Sequence, residues 1–321
     1  MDAAGHDTPL WPACLRAEKQ EEQGRRIILT HRITEKKHFS SHPVMDTFLL
    51  DEQLRNFLRE DLEHGDITTD AIFSDQETAA VTVRARETLI AAGIECVAAR
   101  VFQLLDERIT YSRPIADGQR ADSGDVLMTV SGPVRSLLRG ERVALNLIQR
   151  LCGIATLTRQ YVDAVQGLKV SIVDTRKTTP GLRMLEKYAV RVGGGKNHRY
   201  SPSDGVLIKD NHIAACGSIS RAVERARAAV PHTLAVEVET DTLAQVQECL
   251  ECGVQIIMLD NMDCSTMRQA VAMIKGKAAV EASGGVNLAA VRSIAETGVD
   301  IISVGALTHS ARSCDIGLDW Q

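Results

Sequence analysis

Residues 173–212 read VDTRKTTPGLRMLEKYAVRVGGGKNHRYSPSDGVLIKDNH. Two short runs rich in Val and Ile frame the stretch, at 170–173 and 205–208, and charge follows each at once. A buried strand whose C-terminal end opens onto a site reads this way. Between and just after the runs come Arg176, Lys177, Arg183, Lys187, Arg191, Lys196, His198, Arg199, Lys209 and His212. Cations gathered at strand ends predict a pocket for a strongly anionic small molecule. For Lys187 and Arg191, at helical spacing, a solvated basic helix face is the competing reading. Arg176, Lys177, Arg199 and Lys209 stand at strand ends or beside Gly-rich turns instead.

Outward from this stretch, strands and helices alternate. Strand candidates end at Asp174, Ile208, Glu239, Leu259, Ala282 and Val304. Helical patterns fill the gaps at 180–190, 218–230, 243–252, 267–274 and 288–297. Regular βα units predict a parallel sheet. Their number, and the lack of a Gly-x-Gly-x-x-Gly turn after the first strand, favour a barrel over a dinucleotide-binding sheet. Charge and glycine recur at the same end of each unit, which in a barrel is the active-site face. Ahead of this lies a long amphipathic pattern, GERVALNLIQRLCGIATLTRQYVDAV, residues 140–165, with Arg142 at its start. A cation there opposes the helix dipole, which points to a partner elsewhere; a surface salt bridge is the plainer account.

The N-terminal part reads differently. Residues 1–45 are polar and aperiodic and predict a disordered tail; Met45, where regular pattern begins, is a candidate start alongside Met1. Asp51 is the expected N-cap of a helix carrying Leu54, Phe57, Leu58 and Leu62, with Gly65 just past its end. Asp66 and the threonines after it read as a turn and cap. Strands at 79–85 and 126–130, a helix at 93–105, and turns at Gly118, Gly124 and Gly132 make a small α/β domain. The expected division is a tail at 1–45, an N-terminal domain at 46–141 and a barrel at 142–321.

Composition narrows the function. The chain has 321 residues, 44% apolar and 25% charged, with a net charge of −5. That balance argues against a nucleic-acid binder, so an anion must be held by local cations. No apolar run is long enough to span a membrane. Of the 8 cysteines only Cys249 and Cys252 form a CxxC, inside a helical pattern and without a second pair. Reduced thiols in a cytoplasmic protein are the simpler reading than zinc.

Within the pocket, Arg176 and Arg199 suit bidentate gripping of carboxylate or phosphate, and Lys177 and Lys209 suit neutralisation. Gly193–Gly195 can curl backbone amides around an anion or make an ordinary turn. His198 reads as a carboxylate donor or a structural histidine. In Val236-Glu237-Val238-Glu239 both glutamates share one face. Glu239 and Asp260 close apolar strands at the rim, and Glu237 reads as a barrel-core ion pair. Ser283, Gly284 and Gly285, then Gly305 and Ala306, end the last two strands, where small residues let backbone amides approach a phosphate.

DTRKTTPGLR, GGGKNHR and LIKDNHI, in this order and spacing, closely resemble quinolinate phosphoribosyltransferase, also called nicotinate-nucleotide pyrophosphorylase (carboxylating). The resemblance runs from about Leu49 to Leu318. It implies an N-terminal α/β sandwich followed by an incomplete parallel (β/α) barrel. It also implies transfer of phosphoribosyl from phosphoribosyl pyrophosphate to quinolinate, with loss of CO₂ and with Mg²⁺ as cofactor. Carried onto this chain, it assigns Lys177, Glu239 and Asp260 to catalysis. Substrate binding would fall to Arg142, Thr175, Arg176, His198, Arg199, Lys209, Ser283, Gly284, Gly285, Gly305 and Ala306, beside the catalytic three. Glu239 and Asp260 would serve the metal, directly or through the pyrophosphate. Arg142 matches an arginine that enters the neighbouring subunit's site, so a homodimer or higher homo-oligomer is expected. Two other functions remain open at this point: a transferase using nicotinate without decarboxylation, which needs fewer carboxylate clamps, and a non-catalytic anion-binding or metabolite-sensing protein.

Overall fold

The computed structural model describes residues 45–320, and the expectations for the N-terminal tail lie outside that range except at Met45. Helix α1 (Thr47–Leu62) is capped by Asp46, whose carboxylate accepts the Phe48 and Leu49 amides at 2.9 and 3.3 Å. Asp51, the expected cap, lies a turn inside and grips Arg100, with Nε 2.7 Å from its Oδ1. Leu50, Leu54 and Leu58 recur every four residues and form the buried stripe. Helix α2 (Ile67–Ile72) is capped by Asp66, as its sequence predicts.

An antiparallel sheet follows. Strand β1 (Thr78–Ala85) leads to β2 (Leu89–Ile90), a π-helical turn at Ile94–Ala99, and α3 (Arg100–Leu105). Then come β3 (Thr110–Ser112), β4 (Arg120–Ala121) and β5 (Val126–Pro133). Gly132, expected at a turn, lies within β5 against Ile109. Helix α4 (Val134–Ala164) starts six residues before the Gly140 of the sequence reading and packs against both α3 and α5 (Arg183–Val192). Arg142 is therefore exposed in the third turn, not at the dipole-opposed start, and among the described residues it has no ion-pair partner.

The barrel strands are β6 (Ser171–Val173), β7 (Val206–Ile208), β8 (Val236–Thr240), β9 (Ile256–Asp260), β10 (Ala279–Ser283) and β11 (Ile301–Ser303). All pair in parallel, in the order β6-β11-β10-β9-β8-β7. Strands β6 and β7 are left as two edges, so the barrel is incomplete. Each observed strand ends within one residue of the expected position. After α5 the helices are α6 (Asp210–Cys216), α7 (Ile219–Ala229), α8 (Leu243–Cys252), α9 (Cys264–Ile274), α10 (Val291–Ala295) and α11 (Ala306–His309). The last strand, β12 (Ile316–Trp320), pairs antiparallel with β1 and gives the N-terminal sheet the order β12-β1-β5-β3. The sequence reading did not find it. One apolar core runs through both parts of residues 45–320, and no described helix is long and apolar enough to cross a membrane.

Candidate active site

The C-terminal ends of the barrel strands surround a cavity of about 450 Å³. After β6 come Thr175, Arg176 and Lys177; Lys209 follows β7; Glu239 lies on β8, Asp260 on β9 and Ser283 on β10, ahead of Gly284 and Gly285. His198 and Arg199 reach the cavity from the turn after α5. Eleven of the fourteen residues assigned to catalysis or substrate binding line this space. Gly305 stands beside it: a Cβ there would lie 3.1 Å from Lys177 Cδ. Ala306 starts α11. Arg142 is not among the lining residues.

Charge is arranged unevenly around the cavity. Lys209 Nζ donates to Glu239 Oε2 at 2.5 Å. Arg176 and Lys177 are exposed and, among the described residues, have no carboxylate partner. Arg199 spends one guanidinium N–H on the Gly205 carbonyl at 2.7 Å. Burial and then the nearby Arg176 charge make its cationic form less favourable than usual. Two guanidiniums near enough to oppose each other's charge favour a bound anion. On the far wall Asp260 Oδ2 accepts from Asn261 Nδ2 at 2.7 Å.

The turn carrying His198 and Arg199 is clamped from within. Lys187, with no exposed surface, forms an ion pair with equally buried Asp174 and donates to the His198 carbonyl at 2.9 Å. Asp174 accepts the His198 amide at 2.9 Å and the Asn197 side-chain amide at 2.5 Å. The solvated-face reading thus fails for Lys187 and holds for exposed Arg191. Helical spacing placed Lys187 on α5 but carried no sign of Asp174 across the fold.

Of the two readings of Gly193–Gly195, the ordinary turn is the one found. The three amides donate to Ala189, Arg191 and Val190 carbonyls, closing the end of α5. A Cβ at Gly193 would lie 2.5 Å from the Ala155 carbonyl oxygen, so glycine serves close packing against α4. Gly284 does face the cavity. Its φ is +87°, and a Cβ there would sit 2.2 Å from Asn261 Oδ1.

His198 Nε2 lies 3.3 Å from Glu237 Oε2 and 3.7 Å from Glu281 Oε1, and its Nδ1 accepts the Arg199 amide at 2.8 Å. The ion pair expected of Glu237 is present. Glu281 was missed in the sequence. Its signal is the alternation of Val280-Glu281-Ala282 within an otherwise apolar strand, which puts one acid on the inner face.

Comparison with known proteins bears on this site. The family model described as "Quinolinate phosphoribosyl transferase, N-terminal domain" matches residues 66–152, and its C-terminal counterpart matches residues 154–319. The "Probable nicotinate-nucleotide pyrophosphorylase [carboxylating]" of Bacillus subtilis is 45% identical over 275 residues, 86% of this chain and 94% of that one. The "Quinolinate phosphoribosyltransferase [decarboxylating] 1b" of Nicotiana tabacum is 40% identical over 295 residues, 86% of this chain and 83% of the other. The crystal structure of NadC from Streptococcus pyogenes superposes with a TM-score of 0.83 at 44% identity, covering 87% of this chain and 99% of that one.

Proposed function

The chain belongs to the quinolinate phosphoribosyltransferase family, and from that premise we infer that it transfers phosphoribosyl from phosphoribosyl pyrophosphate to quinolinate and releases CO₂. The products are nicotinate mononucleotide and pyrophosphate, so the enzyme is a pentosyltransferase of NAD biosynthesis. The observation that carries this reading is the strand-end cavity, where Arg176, Lys177, Arg199 and Lys209 meet Glu239 and Asp260.

Both substrates are polyanions and would repel each other in water. We assign the quinolinate carboxylates to Arg176, Arg199 and Lys209, with Thr175 beside them and His198 shaping the floor. The phosphate of the sugar falls to Ser283, Gly284, Gly285, Gly305 and Ala306, where backbone can approach closely. Breaking the bond at ribose C1 leaves a cationic, oxocarbenium-like sugar. Glu239 and Asp260 stabilise that charge, and Lys177 neutralises the departing pyrophosphate. The ring nitrogen bonds to C1 and becomes cationic. It then accepts the electron pair left at C2 when the adjacent carboxylate departs as CO₂. A proton takes the place of that carboxylate.

Phosphoribosyl pyrophosphate calls for a divalent cation, and Mg²⁺ fits the donors present. Glu239 and Asp260 offer hard carboxylate oxygens on adjacent strands at one rim. They would hold Mg²⁺, directly or through the pyrophosphate, and the ion would neutralise the leaving group. The exposed guanidinium of Arg142 supports a further assignment, that it completes the site of a second subunit in a homodimer or higher homo-oligomer. Residues 46–141 would then form the sandwich and 142–321 the catalytic barrel. The seven described cysteines are all unpaired, which supports a cytoplasmic setting.

The test is stoichiometry. Purified protein given quinolinate, phosphoribosyl pyrophosphate and Mg²⁺ should form mononucleotide, pyrophosphate and CO₂ in equal amounts. Quinolinate binding with no product in any of the three channels would overturn the reading in favour of a binding protein.

A further inference from the structure

Strands β6 and β11 lie side by side, and the segments that follow them carry Lys177 and Gly305. Their ladder ends where the Val304 amide donates to the Val173 carbonyl at 2.9 Å. Beyond it one chain enters the loop to α5 and the other enters α11, so no strand pairing fixes Lys177 against Gly305. Yet the two approach closely: a Cβ at Gly305 would lie 3.1 Å from Lys177 Cδ. Helix α11 is only 4 residues long, too short to hold its own shape.

Three side chains outside the cavity supply what is missing. The Thr308 hydroxyl, wholly buried, donates to the Lys177 carbonyl at 2.8 Å, with the Gly305 carbonyl 3.2 Å away. Glu186 of α5 is also wholly buried and divides its two oxygens. Its Oε2 accepts the Thr179 amide at 3.1 Å. Its Oε1 accepts Arg150 of α4, from Nε at 3.0 Å and from Nη2 at 2.8 Å. The same guanidinium reaches on to the other segment. Its Nη1 donates to the Ala311 carbonyl at 3.0 Å and its Nη2 to the Thr308 carbonyl. Carbonyls in the last turn of a helix have no partner within it, and Arg150 provides one for Thr308. A planar guanidinium serves an acid and two carbonyls at once, which the single ammonium of a lysine does not. Arg150, Glu186 and Thr308 do not line the cavity, so each acts through the segments that do.

We propose that Arg150, Glu186 and Thr308 are positioning residues for phosphoribosyl pyrophosphate: together they fix the separation between Lys177 and the turn at Gly305 and Ala306. The proposal rests on the function above for which phosphates those two segments meet. Arg176, next to Lys177, is held separately. Its carbonyl accepts the Thr178 amide at 2.9 Å and Arg183 Nη2 at 3.4 Å, so quinolinate binding is spared when the tie is cut.

Two experiments test it. The first needs no substrate: hydrogen exchange of the ligand-free protein, read by mass spectrometry. The Lys177, Thr178 and Thr179 amides each donate a hydrogen bond, so exchange there reports the state of the loop. Thr308→Val keeps the side chain's shape and loses the hydroxyl. It should quicken exchange across residues 177–182 threefold or more and leave α8 unchanged. An unchanged loop would overturn the proposal. The second is kinetic. Thr308→Val should raise the phosphoribosyl pyrophosphate KM fivefold or more and hold the quinolinate KM within twofold, whereas Thr308→Ser, which keeps the hydroxyl, should stay within twofold for both. Arg150→Lys keeps the charge opposite Glu186 but not the reach to α11, and should raise the phosphoribosyl pyrophosphate KM tenfold or more. Equal rises in both KM values, or no rise in Thr308→Val, would contradict the assignment, since a merely structural contact lowers stability without choosing between substrates. If Arg150→Lys does not fold, the threonine pair decides. If the wild type does not turn over quinolinate, the functional reading fails and the exchange test still stands.

Discussion

Lys187 of α5 and Asp174 at the end of β6 form an ion pair from which solvent is wholly excluded. Removing one partner of such a pair leaves an uncompensated buried charge, at a cost of about 3–5 kcal/mol. Lys187→Met should therefore lose stability on that scale in urea titrations. The double variant Lys187→Met with Asp174→Leu should recover part of it. Both should lose activity, because Lys187 holds the His198 carbonyl and Asp174 holds the Asn197 side chain and the His198 amide.

Lys209 and Glu239 neutralise each other at the rim of the cavity. Lys209→Ala should raise the quinolinate KM strongly and leave Glu239 a free anion. Glu239→Gln should act mainly on kcat, through the cationic sugar. Losing a charge-assisted contact of this kind costs about 2–5 kcal/mol, or a factor of roughly 30 to several thousand in kcat/KM. Steady-state kinetics in both substrates separates the two effects.

Gly284 has no room for a side chain. Gly284→Ala places a methyl on Asn261 and strains a backbone at φ +87°. The phosphoribosyl pyrophosphate KM should rise tenfold or more with the quinolinate KM nearly constant. Gly285→Ala, with open space at its Cβ position and φ +58°, should be milder.

Glu281 sets a pH dependence of stability. Its proton affinity is raised on folding, from 4.5 to about 7. Between those values the folded chain binds a proton that the unfolded chain has lost, so this contribution is full below pH 4.5 and fades as pH rises through 7. Glu237 and His198 face the same proton, with the Ser303 hydroxyl beside it. Glu281→Gln should remove a decline of roughly 1–3 kcal/mol. Urea midpoints at pH 5 and pH 8 should thus differ less in the variant than in the wild type.

Arg142 tests the shared site. Arg142→Ala and Lys209→Ala should each be nearly inactive alone. Mixed oligomers of the two should regain activity, since one site then has both wild-type residues. Absence of rescue in verified mixed oligomers would show that each subunit works alone.

The barrel was legible because each strand is short, apolar and closed by charge or glycine, so that periodicity marks its end to within a residue. The site residues were legible for the same reason: chemistry sits where pattern breaks. What escaped depends on distant partners. Strand β12, with Gly317 and Asp319 in five residues, carries little strand signal alone and is defined by pairing with β1 far away in the sequence. Gly140 read as a helix start because a lone glycine usually marks a boundary; here it lies inside α4, where a Cβ would meet Phe102 at 2.6 Å. Lys187 was left between a pocket cation and a solvated one, and Glu281 went unremarked, because burial of a charge is decided by what faces it.

The central claim is a pocket built for two carboxylates, and the most direct measurement compares kcat/KM for quinolinate and for nicotinate with phosphoribosyl pyrophosphate and Mg²⁺ in excess. A site with cations placed for both carboxylates should favour quinolinate by about 10⁴-fold or more, since nicotinate leaves one of its clamps unanswered. Comparable turnover of the two, with no CO₂ from quinolinate, would contradict the account.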